Sequence, residues 1–170
     1  MAKSYSGSKT RKSNKKFSEP KTAYRKTVSR DKRTGKFMEQ LGDSKDLPTT
    51  IEKMEISKEG ITKMQLEILK SVADLDYGTL AGLLSVTRAT LINKKKEERF
   101  IGPLSERIVS LADLYAYGKK VFGEAERFNA WMNDPNRALG GKTPLELIDN
   151  QFGREEVKNI IGRIGWGVYS

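Results

Sequence analysis

The sequence predicts an all-α protein: a helix-turn-helix unit followed by a small helical C-terminal domain, preceded by a basic tail that is expected to be disordered. Three observations carry this. From Ile61 onward, apolar residues recur at spacings of three and four, the period of a helix with one buried face. The breaks between these stretches hold helix start and stop residues, Thr87, Gly123 and Thr143-Pro144 among them. Finally, residues 1–40 contain 13 Lys/Arg against 3 Asp/Glu, while residues 41–170 contain 19 of each, so the whole net charge of +10 lies in the tail.

That tail has too few apolar residues to offset its ordering entropy, so residues 1–40 are expected to be disordered when free. Its Lys and Arg alternate with Tyr5, Phe17, Tyr24 and Phe37. Such a mixture suits a nucleic-acid backbone and equally suits a solubilising extension. Residues 41–60 are polar, contain Pro48, and read as a linker grading into structure. The first helix is expected to place Ile61, Met64, Ile68, Val72 and Leu75 on one apolar stripe.

The next stretch, YGTLAGLLSVTRATLINKKKEERF, reads as two short helices. Leu80, Ala81, Leu83 and Leu84 form the first, Ser85-Val86 the break, and Thr87 caps a second whose inward residues are Ala89, Leu91 and Ile92. This is the pattern of a helix-turn-helix, whose second helix enters the major groove. Thr87, Arg88, Thr90, Asn93 and Lys94 are then the DNA-facing residues. Arg88 has the donors for guanine and Asn93 the donor-acceptor pair for adenine, while Lys94, Lys95 and Lys96 suit phosphates. An ordinary helical hairpin with a solvated basic end fits the same pattern.

A longer helix is predicted from Gly102-Pro103 to about Phe122, with Ile108, Leu111, Leu114 and Val121 inward and Gly123 as its stop. A shorter one, EAERFNAWMN, puts Phe128, Trp131 and Met132 on one face. DPNRALGGK is a structured loop. Thr143, Pro144 and Glu146 then form a capping box, and a last helix carries Val157, Ile160, Ile161 and Ile164 before two glycines release an aromatic terminus.

Cys and His are both absent, which removes disulfides, thiolate and imidazole chemistry and the usual zinc ligand sets. The best remaining acid pair, Glu155-Glu156, is adjacent on a helix and diverges, so no enzymatic activity, cofactor or metal is expected. No apolar run approaches the roughly 20 residues of a membrane span, and the N-terminus lacks a signal peptide's apolar core; the expected compartment is the cytoplasm, with no membrane partner.

Residues 131–170, WMNDPNRALGGKTPLELIDNQFGREEVKNIIGRIGWGVYS, resemble antitoxins of the Xre/MbcA/ParS type, which accompany RES-domain toxins. The resemblance is carried by Trp131, the N-x-A-L-G-G-x-x-P-x-x-L run, Gly153 with Val157, the Gly-Arg-Ile step and the G-V-Y-S ending; it continues more loosely back to Ile61. It implies a DNA-binding domain at 61–122, a toxin-binding domain at 123–170 and a type II antitoxin that occludes the active site of a NAD-consuming or ADP-ribosylating RES toxin. It further implies repression of the antitoxin's own promoter, and the helix-turn-helix suggests a homodimer reading paired half-sites. On this resemblance Arg163, Trp166, Gly167, Val168, Tyr169 and Ser170 are the inhibitory face. Where many relatives have an acidic residue and a histidine, this chain has Gly165-Trp166. The competing reading is a stand-alone helix-turn-helix regulator without a toxin partner.

Overall fold

The computed structural model describes residues 47–168, so the readings placed on residues 1–46, on Tyr169 and on Ser170 lie outside it. Among the described residues the chain forms eight α-helices, one 3-10 turn and a single two-residue β-pair. The expected all-α class holds. None of these helices is long and apolar enough to cross a membrane.

The chain enters on α1 (Thr50–Glu59), which Thr49 and Glu52 start with a reciprocal capping box. This helix lies inside the stretch read as linker. Only Ile56 of its apolar residues is buried, while Ile51 and Met54 face outward, so no helical stripe marks it in the sequence.

Ile61 and Thr62 do not begin the next helix, as the stripe suggested. They form β1, which pairs antiparallel with β2 (Arg99–Phe100) in the register Ile61 to Phe100. Both Ile61 and Phe100 are buried, so their pairing closes one end of the core. Thr62 then caps α2 (Lys63–Val72), whose buried side is Leu66, Ile68 and Leu69; Met64 and Val72 are half-buried at its margins, and Leu75 lies past its end.

Asp76 caps α3 (Tyr77–Leu83). Hydrogen bonds from the Thr79 hydroxyl, then from the Gly78 and Thr79 amides, hold its carboxyl below the usual carboxylate range. Ser85 turns the chain at positive φ, and Thr87 caps α4 (Arg88–Ile92) as the sequence indicated. Ala89 and Ile92 depart from the expectation: both are exposed, and Leu91 alone carries α4 into the core. With five residues, α4 has a single inward position.

The central element is α5 (Pro103–Phe122), ended by Gly123 as expected. Its buried side includes Ile108, Leu111, Leu114 and Tyr115, against which α6 (Ala125–Asn133) packs Phe128 and Met132. Phe128 sits edge-on to Tyr115 and close to Phe122 and Trp131, with ring centroids 5.3 to 5.8 Å apart. The DPNRALGGK segment is the expected structured loop, a 3-10 turn (Arg137–Leu139) closed by the Gly141 amide on the Asn136 carbonyl.

The Thr143–Glu146 capping box forms as read, but it starts only the four-residue α7 (Pro144–Leu147). Asn150 caps a separate helix, α8 (Gln151–Gly165). Val157, Ile160 and Ile161 of α8 lie against α5, in one contiguous buried cluster that also contains Leu66, Leu69, Leu80, Leu91 and Phe128. The cluster runs from α1 to α8, so the segments on either side of Gly123 share a core. Each such side chain contributes about 1.5–3 kcal/mol by leaving water.

Candidate functional site

Two exposed faces hold the residues singled out from the sequence. The first is the α3–α4 hairpin. Neither helix is long enough to stand alone, and each ends with carbonyls that need donors. Cations from elsewhere in the fold supply them. Lys63 of α2, buried and lying 4.3 Å over the Tyr77 ring, donates through Nζ to the Leu91 carbonyl of α4. Arg107 of α5 donates to the Leu84 carbonyl at 3.1 Å, and Arg154 of α8 to that of Leu83 at 2.6 Å. Burial, and then the neighbouring Arg107, push the Arg154 guanidinium below its ordinary pKa.

So held, the hairpin turns Thr87, Arg88, Thr90 and Asn93 outward together. The Thr87 hydroxyl is committed to the cap, accepting from the Thr90 amide at 3.2 Å and lying 2.8 Å from the Thr90 hydroxyl. Asn93 is the C-cap of α4 rather than part of a continuing helix. Lys94 is half-buried, its ammonium 5.3 Å from the Phe100 ring centroid. Lys95 and Lys96 are exposed, as are Glu97 and Glu98 just beyond them, which offset part of the local positive charge.

The second face is the outer side of α8. Arg163 lies on it half-exposed, within 3.3 Å of Glu156. An exposed pair of this kind contributes little to stability and leaves both groups available to a partner. Trp166 is 86% exposed and Val168 58% exposed. Gly165 does not release the helix, as the sequence had suggested. It remains helical, and a Cβ there would sit 3.4 Å from the Val121 methyls. The reversal belongs to Gly167, at φ 70°, with its own amide on the Ile164 carbonyl and the Val168 amide on that of Arg163. These two bonds make a Schellman cap, which requires the left-handed conformation that glycine adopts without strain. Trp166 is thus fixed at the end of an ordered helix.

The sequence reading missed Phe152, which is 83% exposed in the first turn of α8. Its signal was present: counting from Trp166, Phe152 falls on the same side of a continuous helix. It was hidden because residues 151–153 were read with the segment started by the Thr143 cap, apart from the last helix. A concavity of about 580 Å³ between the end of α2 and α6, lined by Ser71, Asp74 and Asn129, contains none of the candidate toxin- or DNA-binding residues.

Comparison with known proteins bears on the second face. Residues 118–167 match the family model of the antitoxin Xre/MbcA/ParS C-terminal toxin-binding domain. An antitoxin Xre of Photorhabdus laumondii is 33% identical over 73 residues, covering 42% of this chain and 49% of that protein. A Prs ADP-ribosylating antitoxin of a Sphingobium strain is 26% identical over 133 residues, 71% of this chain and 82% of the relative. An antitoxin Xre of Pseudomonas putida is 30% identical over 63 residues, 37% of this chain and 40% of that protein. The chain thus spans half or less of the length of the two Xre relatives.

Proposed function

With a C-terminal segment of the Xre/MbcA/ParS toxin-binding type, we propose that this chain is the antitoxin of a type II toxin-antitoxin pair, neutralising a RES-type toxin by laying the end of α8 and the residues after it into the toxin's NAD site. The observation that supports this most strongly is the coincidence of the matched segment with a helix whose outer face carries Arg163 and an almost fully exposed Trp166. Aromatic residues and Arg are those enriched at the energetic centres of interfaces. Arg163 offers a planar fork of donors suited to an active-site carboxylate. Occlusion requires no catalytic group on the antitoxin.

The test is co-expression with the toxin, read as cell survival and NAD level. Because Ile164 packs against the core, the cut is best placed after Gly165. Removal of residues 166–170 combined with Arg163→Ala should leave the melting temperature within a few degrees and abolish protection. Full protection by that variant overturns the mechanism.

DNA binding and homodimerisation belong to the same proposal. The chain represses its own promoter through Thr87, Arg88, Thr90, Asn93 and Lys94, two copies reading two half-sites. Arg88→Ala with Asn93→Ala, both at exposed positions, should weaken specific promoter binding by tenfold or more at fixed salt while toxin neutralisation is retained. Unchanged gel shifts would place the reading surface elsewhere.

A further inference from the structure

Four residues of α8 and its C-cap lie along one exposed line: Phe152, Glu156, Asn159, Arg163 and Trp166. At 100° per residue, all point within about 40° of the Phe152 direction, and 14 residues at 1.5 Å each put the two aromatic ends about 21 Å apart. On the inner side of the same helix are Val157, Ile160 and Ile161, all buried. The helix is therefore anchored by one face and offers the other, with an aromatic ring at either end and polar groups between.

Nothing within the fold calls for Phe152. The buried cluster and the partly buried residues packed on it do not include it, and a phenyl ring is a weaker helix former than Ala, Glu or Lys on an exposed face. A single exposed apolar residue needs no explanation. A pair aligned on one helix face with an Arg between them, within the segment matched by a toxin-binding domain, has the composition of an interface core.

We infer that Phe152 is a second anchor for the toxin, so that the partner grips the full outer face of α8 as well as its end. The inference rests on the antitoxin reading above. It follows also from size: a stable interface takes about 800 Å² and 20–30 residues from each partner, more than residues 163–170 furnish. The partner's complementary surface is a groove with an apolar pocket at each end and a polar floor. Beside the Phe152 end of that floor, the exposed Glu155 and Glu156 call for cationic side chains.

The experiment measures binding of the full-length chain to a catalytically inactive form of the toxin, by an optical biosensor that resolves on- and off-rates. Phe152→Ala should weaken the complex by tenfold or more, mainly by faster dissociation, with the melting temperature unchanged; Phe152→Leu should recover part of the loss. If Phe152→Ala binds as tightly as the parent while removal of residues 166–170 abolishes binding, the second anchor is wrong and the antitoxin reading stands. If neither change affects binding, both fall. If Phe152→Ala leaves toxin affinity intact but alters the sedimentation of the free chain, the line on α8 is a contact between copies of this chain, and the inference is overturned.

Discussion

Gly118 lies in the middle of α5, where a glycine costs about 1 kcal/mol relative to alanine. Its place is explained by Phe128, whose ring stands where a side chain would be: a Cβ built on Gly118 meets three ring carbons at 2.3 to 2.5 Å. The ring has no room to retreat, since Tyr115, Phe122 and Trp131 surround it and it is fully buried. Two effects oppose each other in Gly118→Ala. The gain in helix propensity is about 1 kcal/mol, and overpacking costs typically 1–3 kcal/mol. Overpacking should win, giving a net loss of about 1 kcal/mol in urea unfolding, and Gly118→Leu should lose several times as much. A Gly118→Ala chain more stable than the parent would show that the aromatic cluster yields.

At the scale of elements, what the sequence disclosed depended on whether a signal was local. Caps are local: Thr87 and the Thr143–Glu146 box were legible because each completes its bonds within three residues, as was the stop at Gly123. The structured loop before Thr143 was legible from its Pro and Gly content. By contrast α1 was read as linker, because it lacks a stripe and is held by its box, by Ile56 and by Lys53 reaching Asp113, the last a contact across 60 positions. The first turn of α8 was missed because residues 151–153 were read with the Thr143-capped segment, whereas α7 ends at Leu147 and the two helices meet where Gly153 approaches the Leu147 carbonyl. Ile61 was assigned to a helix because β1 is only two residues long and its partner lies 39 residues onward. Of the exposed residues on α8 and its end, Arg163 and Trp166 were singled out from the sequence and Phe152 was not; the cationic caps from Lys63, Arg107 and Arg154 that hold the α3–α4 hairpin carry no sequence pattern at all.

Across the whole molecule, Asp113 is the residue on which distant segments converge. It is buried in α5, and its two oxygens meet Lys53 of α1 at 2.7 Å and Lys158 of α8 at 2.5 Å. The two lysines are partly exposed, so water screens them and the pairs are worth less than fully buried ones. Asp113→Ala should nevertheless cost about 2 kcal/mol, because it leaves two cations facing each other over a buried gap. For a domain of this size that is a fall of several degrees in melting temperature. Asp113→Asn, which keeps one accepting oxygen but loses the charge and the second acceptor, should fall between parent and Asp113→Ala; a variant as stable as the parent would mean that the helices are held by apolar contact alone.

The shared core also bears on how such a chain is dismantled. Helix α8 carries the proposed grip on a toxin, yet it also supplies Val157, Ile160 and Ile161 to the interior and, through Arg154, the donor that closes the Leu83 carbonyl of the hairpin. A protease trimming the chain back past Asn150 would therefore leave no smaller working module behind. One cut there would take away the proposed toxin-binding face and, with it, three core side chains and a hydrogen bond on which the proposed DNA-facing hairpin rests.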